Sequence, residues 1–152
     1  MRKSINLIYS ELDNNIDMRR HIMFSSDAKN VNFAENLIDD LSEQLEFSSD
    51  IYGNILVSVV EAVNNAIIHG NQLDHKKSVT LKAEVDNESK LCVSVKDEGP
   101  GFDFTIVPDP TAPDNIEKPH GRGIFLMRNL ADDVEFNDKG NEVILKFKLH
   151  KS

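Results

Sequence analysis

The sequence predicts an α+β fold, a two-layer sandwich with helices on one face of a mixed, mainly antiparallel sheet. Three observations predict it: two amphipathic helical stretches in succession, an alternating hairpin in mid-chain, and a further helix with closing strands beyond a long proline-rich gap.

Met1 to about Met18 mixes polar and apolar residues and reads as an N-terminal strand or arm of the same domain, which fills residues 19–152. RHIMFSS reads as a short strand. Ser26 or Asp27 is placed to cap a helix through VNFAENLIDDLSEQLEF. Its Val31, Ala34, Leu37, Ile38, Leu41 and Leu45 make one apolar face. Ser48 and Ser49 cap a second helix, in which Ile51, Ile55, Leu56, Val59, Val63 and Ile67 recur at near-helical period. Gly70 is placed to end it. SVTLKAEVD and KLCVSVKDE alternate on either side of Asn87 as two strands of a hairpin. From Gly99 to Pro119 stand all five prolines of the chain, so about 102–120 is read as a loop of the length that commonly serves as a functional lid. GIFLMRNLADDV reads as a third helix, and VEF and EVILKFKLH as the final strands. No internal repeat or interdomain linker is visible.

At 152 residues the chain fits one domain with a sizeable core. Its apolar share of 39% and charged share of 28% are ordinary for a globular protein. The net charge of −9 opposes a phosphate backbone and argues against broad nucleic-acid or anionic-membrane binding. A small nucleotide held by local dipoles is still compatible with it. No leader pattern opens the chain and no apolar run approaches the roughly 20 residues that span a bilayer, so a cytoplasmic location is expected. The single cysteine, Cys92, lies in the alternating LCVSV and reads as a packed strand residue. The five histidines, His21, His69, His75, His120 and His150, show no zinc spacing.

Three stretches carry chemistry. In EAVNNAIIHGN, Glu61 and Asn65 are four apart and project from one face of a mostly apolar helix, with Asn64 beside them. Taken alone, this stripe also fits the wet side of an ordinary helix. DEGPG, Asp97 to Gly101, leaves a strand with a carboxylate next to two glycines, suited to a tight turn and to a hydrogen bond from an exocyclic amine; it also fits a plain turn. HGRGIFLM puts Gly121 and Gly123 at the start of a helix, where free N–H groups and the dipole favour phosphate. It is neither a Walker A loop nor a dinucleotide fingerprint.

In that order, E-x-x-x-N on a helix, D-x-G-x-G after a strand, a long loop and G-x-G opening a helix resemble the N, G1 and G2 boxes of the GHKL ATPases. The wording EAVNNAIIHGN, DEGPGFD and GRGIFLM is similar to the anti-sigma-factor serine kinases of the RsbW and SpoIIAB type, from about Met23 to Leu149. The resemblance implies the Bergerat, or histidine kinase-like ATPase, fold and binding of ATP with Mg²⁺. It makes Asn65 the Mg²⁺ ligand and Glu61 the general base. It makes Asp97 the acceptor of the adenine amino group, with Gly99 and Gly101 shaping that pocket, and Gly121 and Gly123 a phosphate cradle. Arg122 between them either meets a phosphate or points to solvent. His69 ends the second helix and either caps it, the preferred reading, or lines the site.

One departure stands out. Gly140, Asn141 and Glu142 occupy the place of a family Gly-Thr motif near the adenine, so Asn141 is expected to substitute its own hydrogen bonds. The partners implied are a sigma factor and a STAS-domain anti-anti-sigma antagonist phosphorylated on serine, with a homodimer as a further option. Two other readings stay open at this level: a non-catalytic, nucleotide-dependent binding module, and a detached histidine-kinase catalytic domain.

Overall fold

A computed structural model describes residues 19–102 and 119–149; the N-terminal arm and the predicted lid at 103–118 lie outside them. Strand β1 is Arg19–Ser25, followed by helices α1, Val31–Leu45, and α2, Ser49–Asn64. Strands β2, Ser78–Val85, and β3, Lys90–Lys96, form the expected hairpin. Helix α3, Pro119–Leu130, and strands β4, Asp133–Phe136, and β5, Glu142–Lys148, complete the order.

The caps are where the sequence puts them. Asp27 accepts the Lys29 N–H at 3.1 Å and opens a short 3₁₀ turn that runs into α1. Ser48 accepts the Ile51 N–H at 3.3 Å and opens α2. Each such cap satisfies one backbone donor that the helix itself leaves unpaired.

The sheet order is β1-β2-β3-β5-β4. A mixed, mainly antiparallel sheet was expected, and all four described pairings are antiparallel. The reason is connectivity. Two helices between β1 and β2 return the chain to the end it left, so β2 runs back along β1. Strands β3 and β4 are parallel to each other, but β5 lies between them and is antiparallel to both.

One face of this sheet carries the core. Leu81, Leu91, Val93 and Leu145 meet Leu37, Ile38 and Leu41 of α1 and Ile55, Val59 and Val63 of α2, all 1% exposed or less. Full burial of each is worth about 1.5–3 kcal/mol, so single truncations here threaten a fold of ordinary marginal stability. Arg20 also lies on this face, 1% exposed, and its Nη2 donates to Gln44 Oε1 at 2.8 Å. Burial pulls its pKa down to about 10, against the opposing pull of Asp40.

Helix α3 differs from expectation at both ends. It starts at Pro119, four residues before the predicted Gly123, because proline at the first helical position gives up an N–H that would be unpaired anyway. It stops at Leu130, because the Asp132 N–H goes to Lys146 O at 2.9 Å and commits the chain to the sheet.

Helix α2 does not stop at Asn64. It continues as a π-helical segment, Asn65–Gly70, with the Asn71 N–H donating to Ala66 O at 2.8 Å. The whole run, Ser49–Gly70, has 22 residues and contains a stretch long and apolar enough, by length and composition only, to cross a bilayer, a test that the core helix of a globular protein also passes. That corrects the expectation that no run approaches this length. Its apolar face packs on the sheet and on α3, with Glu61 and Asn65 on the flank that meets α3 at Gly123 and Asn64 turned away from the buried face, which is how a core helix is built.

Candidate functional site

The end of α2, the first turns of α3, the turn after β3 and the β4–β5 turn converge on one cavity of about 260 Å³. Its walls are mostly apolar, from Ala62, Ala66, Val95, Ile124, Met127 and Val143, with Phe102 and Phe136 meeting edge to face at 5.6 Å. Asn65, His69, Asp97 and Asn141 are among the polar groups that reach it. An apolar cleft with a few placed polar groups is the usual make-up of a small-molecule site.

Glu61 and Asn65 are half-buried on the same flank of the helix. Helix α3 lies against them at Gly123, where a Cβ would come within 3.0 Å of Asn65 Nδ2 and 3.1 Å of Glu61 Oε2. Gly123 is the fifth residue of α3, so its N–H is already inside the helix ladder. The glycine therefore serves by its missing side chain, which keeps open the space in front of the two polar groups. Gly121, in the first turn, is buried, whereas Arg122 is exposed; neither lines the cavity. Asn64 is half-buried and also outside it.

Asp97 is fixed from several sides. Its Oδ1 accepts the Gly99 N–H at 2.8 Å, and its own N–H donates to Asn141 O at 2.9 Å. A Cβ on Gly70 would lie 2.2 Å from Asp97 Oδ2, and one on Gly99 would lie 2.1 Å from Gly70 O. The carboxylate thus rests on the bare backbone at the end of the π segment, and Gly99 packs behind it instead of lining the cavity. Gly101 does line it, at a φ of +83° that disfavours a side chain. Burial pushes the Asp97 carboxyl above its ordinary value, partly offset by the Gly99 N–H and by the charges of Lys139 and Lys77.

Other residues of the site carried weaker signals. Asn71, fully buried, accepts the Glu98 N–H at 2.7 Å and donates to Ser26 Oγ at 2.7 Å and Ser78 O at 3.0 Å. It ties the π segment to β1, β2 and the Asp97 turn. Its place in the HGN end of the helix motif was the only hint. His69, in the last turn of the π segment, lines the cavity, which capping alone did not anticipate. Asn141 makes its hydrogen bonds to protein: Nδ2 donates to Asp97 O at 3.1 Å, and Oδ1 accepts from Asn137 Nδ2 at 2.6 Å.

The model of the histidine kinase-like ATPase domain matches residues 24–147. The chain belongs to that family. Among its relatives, an anti-sigma F factor of Clostridium perfringens is 29% identical over 142 residues, 89% of this chain and 99% of its own length. An anti-sigma F factor of Geobacillus kaustophilus is 33% identical over 139 residues, 87% and 93% of the two chains. The structure of the RsbU and RsbW domains of a Mycobacterium tuberculosis protein superposes on 89% of this chain, which covers 33% of that one, with a TM-score of 0.65 at 15% identity. That likeness shows a shared fold.

Membership in the histidine kinase-like ATPase domain family implies ATP binding, and the cavity fits its base. Asp97 uses one of roughly four acceptor positions on Gly99 and keeps others for an amine. At about 260 Å³ the space lies below the roughly 300–1,000 Å³ of whole-ligand sites, which suits a base rather than a whole nucleotide. The cradle that a Cβ on Gly123 would fill has Glu61 Oε2 at 3.1 Å and the Asn65 amide with Nδ2 at 3.0 Å and Oδ1 at 3.4 Å, and its two oxygens are of the kind that Mg²⁺ takes.

Proposed function

We propose that this chain is a cytoplasmic anti-sigma regulatory factor that binds ATP with Mg²⁺ and phosphorylates a serine of a STAS-domain antagonist, alternating between that partner and a sigma factor. The observation that carries it is the approach of Gly123 to both Glu61 and Asn65, which leaves a cradle for phosphoryl chemistry beside a purine-sized pocket. The anti-sigma names of relatives that match most of the chain support the regulatory part, and a homodimer fits the same family pattern.

Each residue then has a task. Asp97 accepts a hydrogen bond from the adenine amine. Gly99 and Gly101 let the turn close around the base, and the apolar wall from Ala62 to Val143 excludes water from it. Asn65 would hold Mg²⁺ through its amide oxygen; bound there, the ion would neutralise phosphate charge. Glu61, four residues earlier on the same flank, orients the serine hydroxyl and accepts its proton, while the oxygen attacks the terminal phosphorus and ADP leaves. Gly121, in the first turn of α3 where backbone N–H groups have no partner within the helix, and exposed Arg122 would meet the phosphates from the other side.

Incubation with ATP, Mg²⁺ and the cognate antagonist is expected to give acid-stable phosphoserine on the antagonist. Glu61→Gln is expected to slow that transfer by about 10²-fold or more with ATP affinity within a few-fold of wild type. ATP binding without transfer to the antagonist would favour a non-catalytic binding module. Acid-labile phosphohistidine on a partner would favour a histidine-kinase catalytic domain. A Glu61→Gln rate equal to wild type would remove the general-base role.

A further inference from the structure

The β4–β5 turn performs a task that the Gly-Asn-Glu sequence does not announce. Asn137 Oδ1 accepts three backbone N–H groups, of Gly140 at 2.8 Å, Asn141 at 3.0 Å and Glu142 at 3.2 Å. Asn137 Nδ2 donates to Asn141 Oδ1 at 2.6 Å, and Asn141 Nδ2 donates to Asp97 O at 3.1 Å. The Asp97 N–H returns to Asn141 O at 2.9 Å. One residue, 8% exposed and on the cavity wall, therefore holds both the N–H and the carbonyl of Asp97 and is itself held by a second amide.

We infer that Asn141, locked by Asn137, is a positioning residue that sets the preference for a 6-amino purine over a 6-oxo purine by aiming Asp97. The physical basis is geometric. A carboxylate discriminates between the two bases only if its acceptor points at the 6-position, and its direction follows from the backbone that carries it. Each polar atom of the Asn141 amide is engaged with protein, Nδ2 with the Asp97 carbonyl itself, so the orientation of this amide is coupled to that of Asp97. This inference rests on the ATP-binding function proposed above.

The test compares ATP with inosine triphosphate, which differs by an oxo group in place of the 6-amine, by titration calorimetry on the full chain. Wild type is expected to prefer ATP. Asn141→Leu keeps the number and branching of side-chain heavy atoms and removes both side-chain hydrogen bonds, and it should weaken ATP by about tenfold, the equivalent of one hydrogen bond. Its affinity for inosine triphosphate should stay within twofold, so that the preference falls. Asn137→Ala leaves Asn141 in place and should lower the preference in the same direction; it carries the test if Asn141→Leu does not fold. A purely architectural role would weaken both nucleotides equally, and that result, or an unchanged preference in folded variants, would overturn the inference alone. Failure of wild type to bind either nucleotide would overturn the ATP-binding function and this inference with it.

Discussion

Asp97→Asn is expected to lower ATP affinity by about 100-fold while leaving the nucleotide-free protein more stable than wild type at neutral pH. The substitution is nearly isosteric, and its oxygen can still accept the Gly99 N–H that now goes to Oδ1 at 2.8 Å. On the ligand side it exchanges an acceptor for a donor facing the adenine amine. Losing a charged hydrogen bond and leaving a buried donor unpaired together cost about 3 kcal/mol, which is roughly 100-fold. The stability gain comes from the opposite balance in the empty site. Burial raises the Asp97 carboxyl above its ordinary value, so the folded state holds that proton more tightly than the unfolded chain. Wild-type stability from this group is therefore fully present below the ordinary carboxylate range and is lost as pH rises through the raised value. Asp97→Asn removes that slope. ATP binding by wild type should run the other way, weakening as pH falls through the raised value, because the neutral carboxyl is the poorer acceptor. Denaturation midpoints and ATP titrations across the acidic range check both. A variant that is less stable at neutral pH yet binds ATP normally would contradict the assignment.

Gly101→Ala is expected to cost about 3 kcal/mol of stability and to weaken nucleotide binding. Its φ is +83°, and an added Cβ would lie 1.8 Å from Lys139 O, a backbone atom that cannot rotate away. The left-handed backbone alone costs about 1–2 kcal/mol for a residue with a side chain. The remainder comes from displacing the β4–β5 turn, which is held to the same backbone from the other side: a Cβ on Gly140 would meet Phe102 O at 2.1 Å. Since that turn fixes Asp97, the damage reaches the base pocket. Gly53→Ala is the matched control. It lies inside α2 with nothing within 4 Å of its ideal Cβ, so it should stabilise by about 0.5–1 kcal/mol. Urea unfolding of both variants measures the contrast, and equal midpoints for Gly101→Ala and wild type would contradict it.

The contrast between those glycines shows where sequence reasoning reaches its limit. Gly53 and Gly101 are the same letter, and the left-handed φ of Gly101 together with the long-range approach of Lys139 separates them. What is local was legible: the caps at Asp27 and Ser48, the apolar stripe of α2, the alternation of β2 and β3, and the four-residue spacing of Glu61 and Asn65. What depends on the return of distant chain was not. Leu130 ends α3 because the Asp132 N–H is claimed by Lys146, and the sheet is antiparallel throughout its described pairs because β5 inserts between β3 and β4. In the site, Asp97 was legible as a carboxylate at a strand end. The residues that hold its turn from a distance, Gly70, Asn71 and Asn141, act through contacts spanning tens of residues. Gly123 was legible as a glycine at a helix start, but it serves by making room for Asn65 and Glu61 rather than by offering an N–H.

The central claim is that the end of α2 and the turn after β3 form one ATP site with Mg²⁺ at Asn65. Its most direct measurement is a titration of ATP into wild type and Asn65→Ala, with and without Mg²⁺, by calorimetry. Wild type should bind ATP more tightly when Mg²⁺ is present, by about tenfold or more. Asn65→Ala should keep the Mg²⁺-free affinity and lose most of the increment. No ATP binding by wild type, or an Mg²⁺ increment that survives Asn65→Ala intact, would contradict the account.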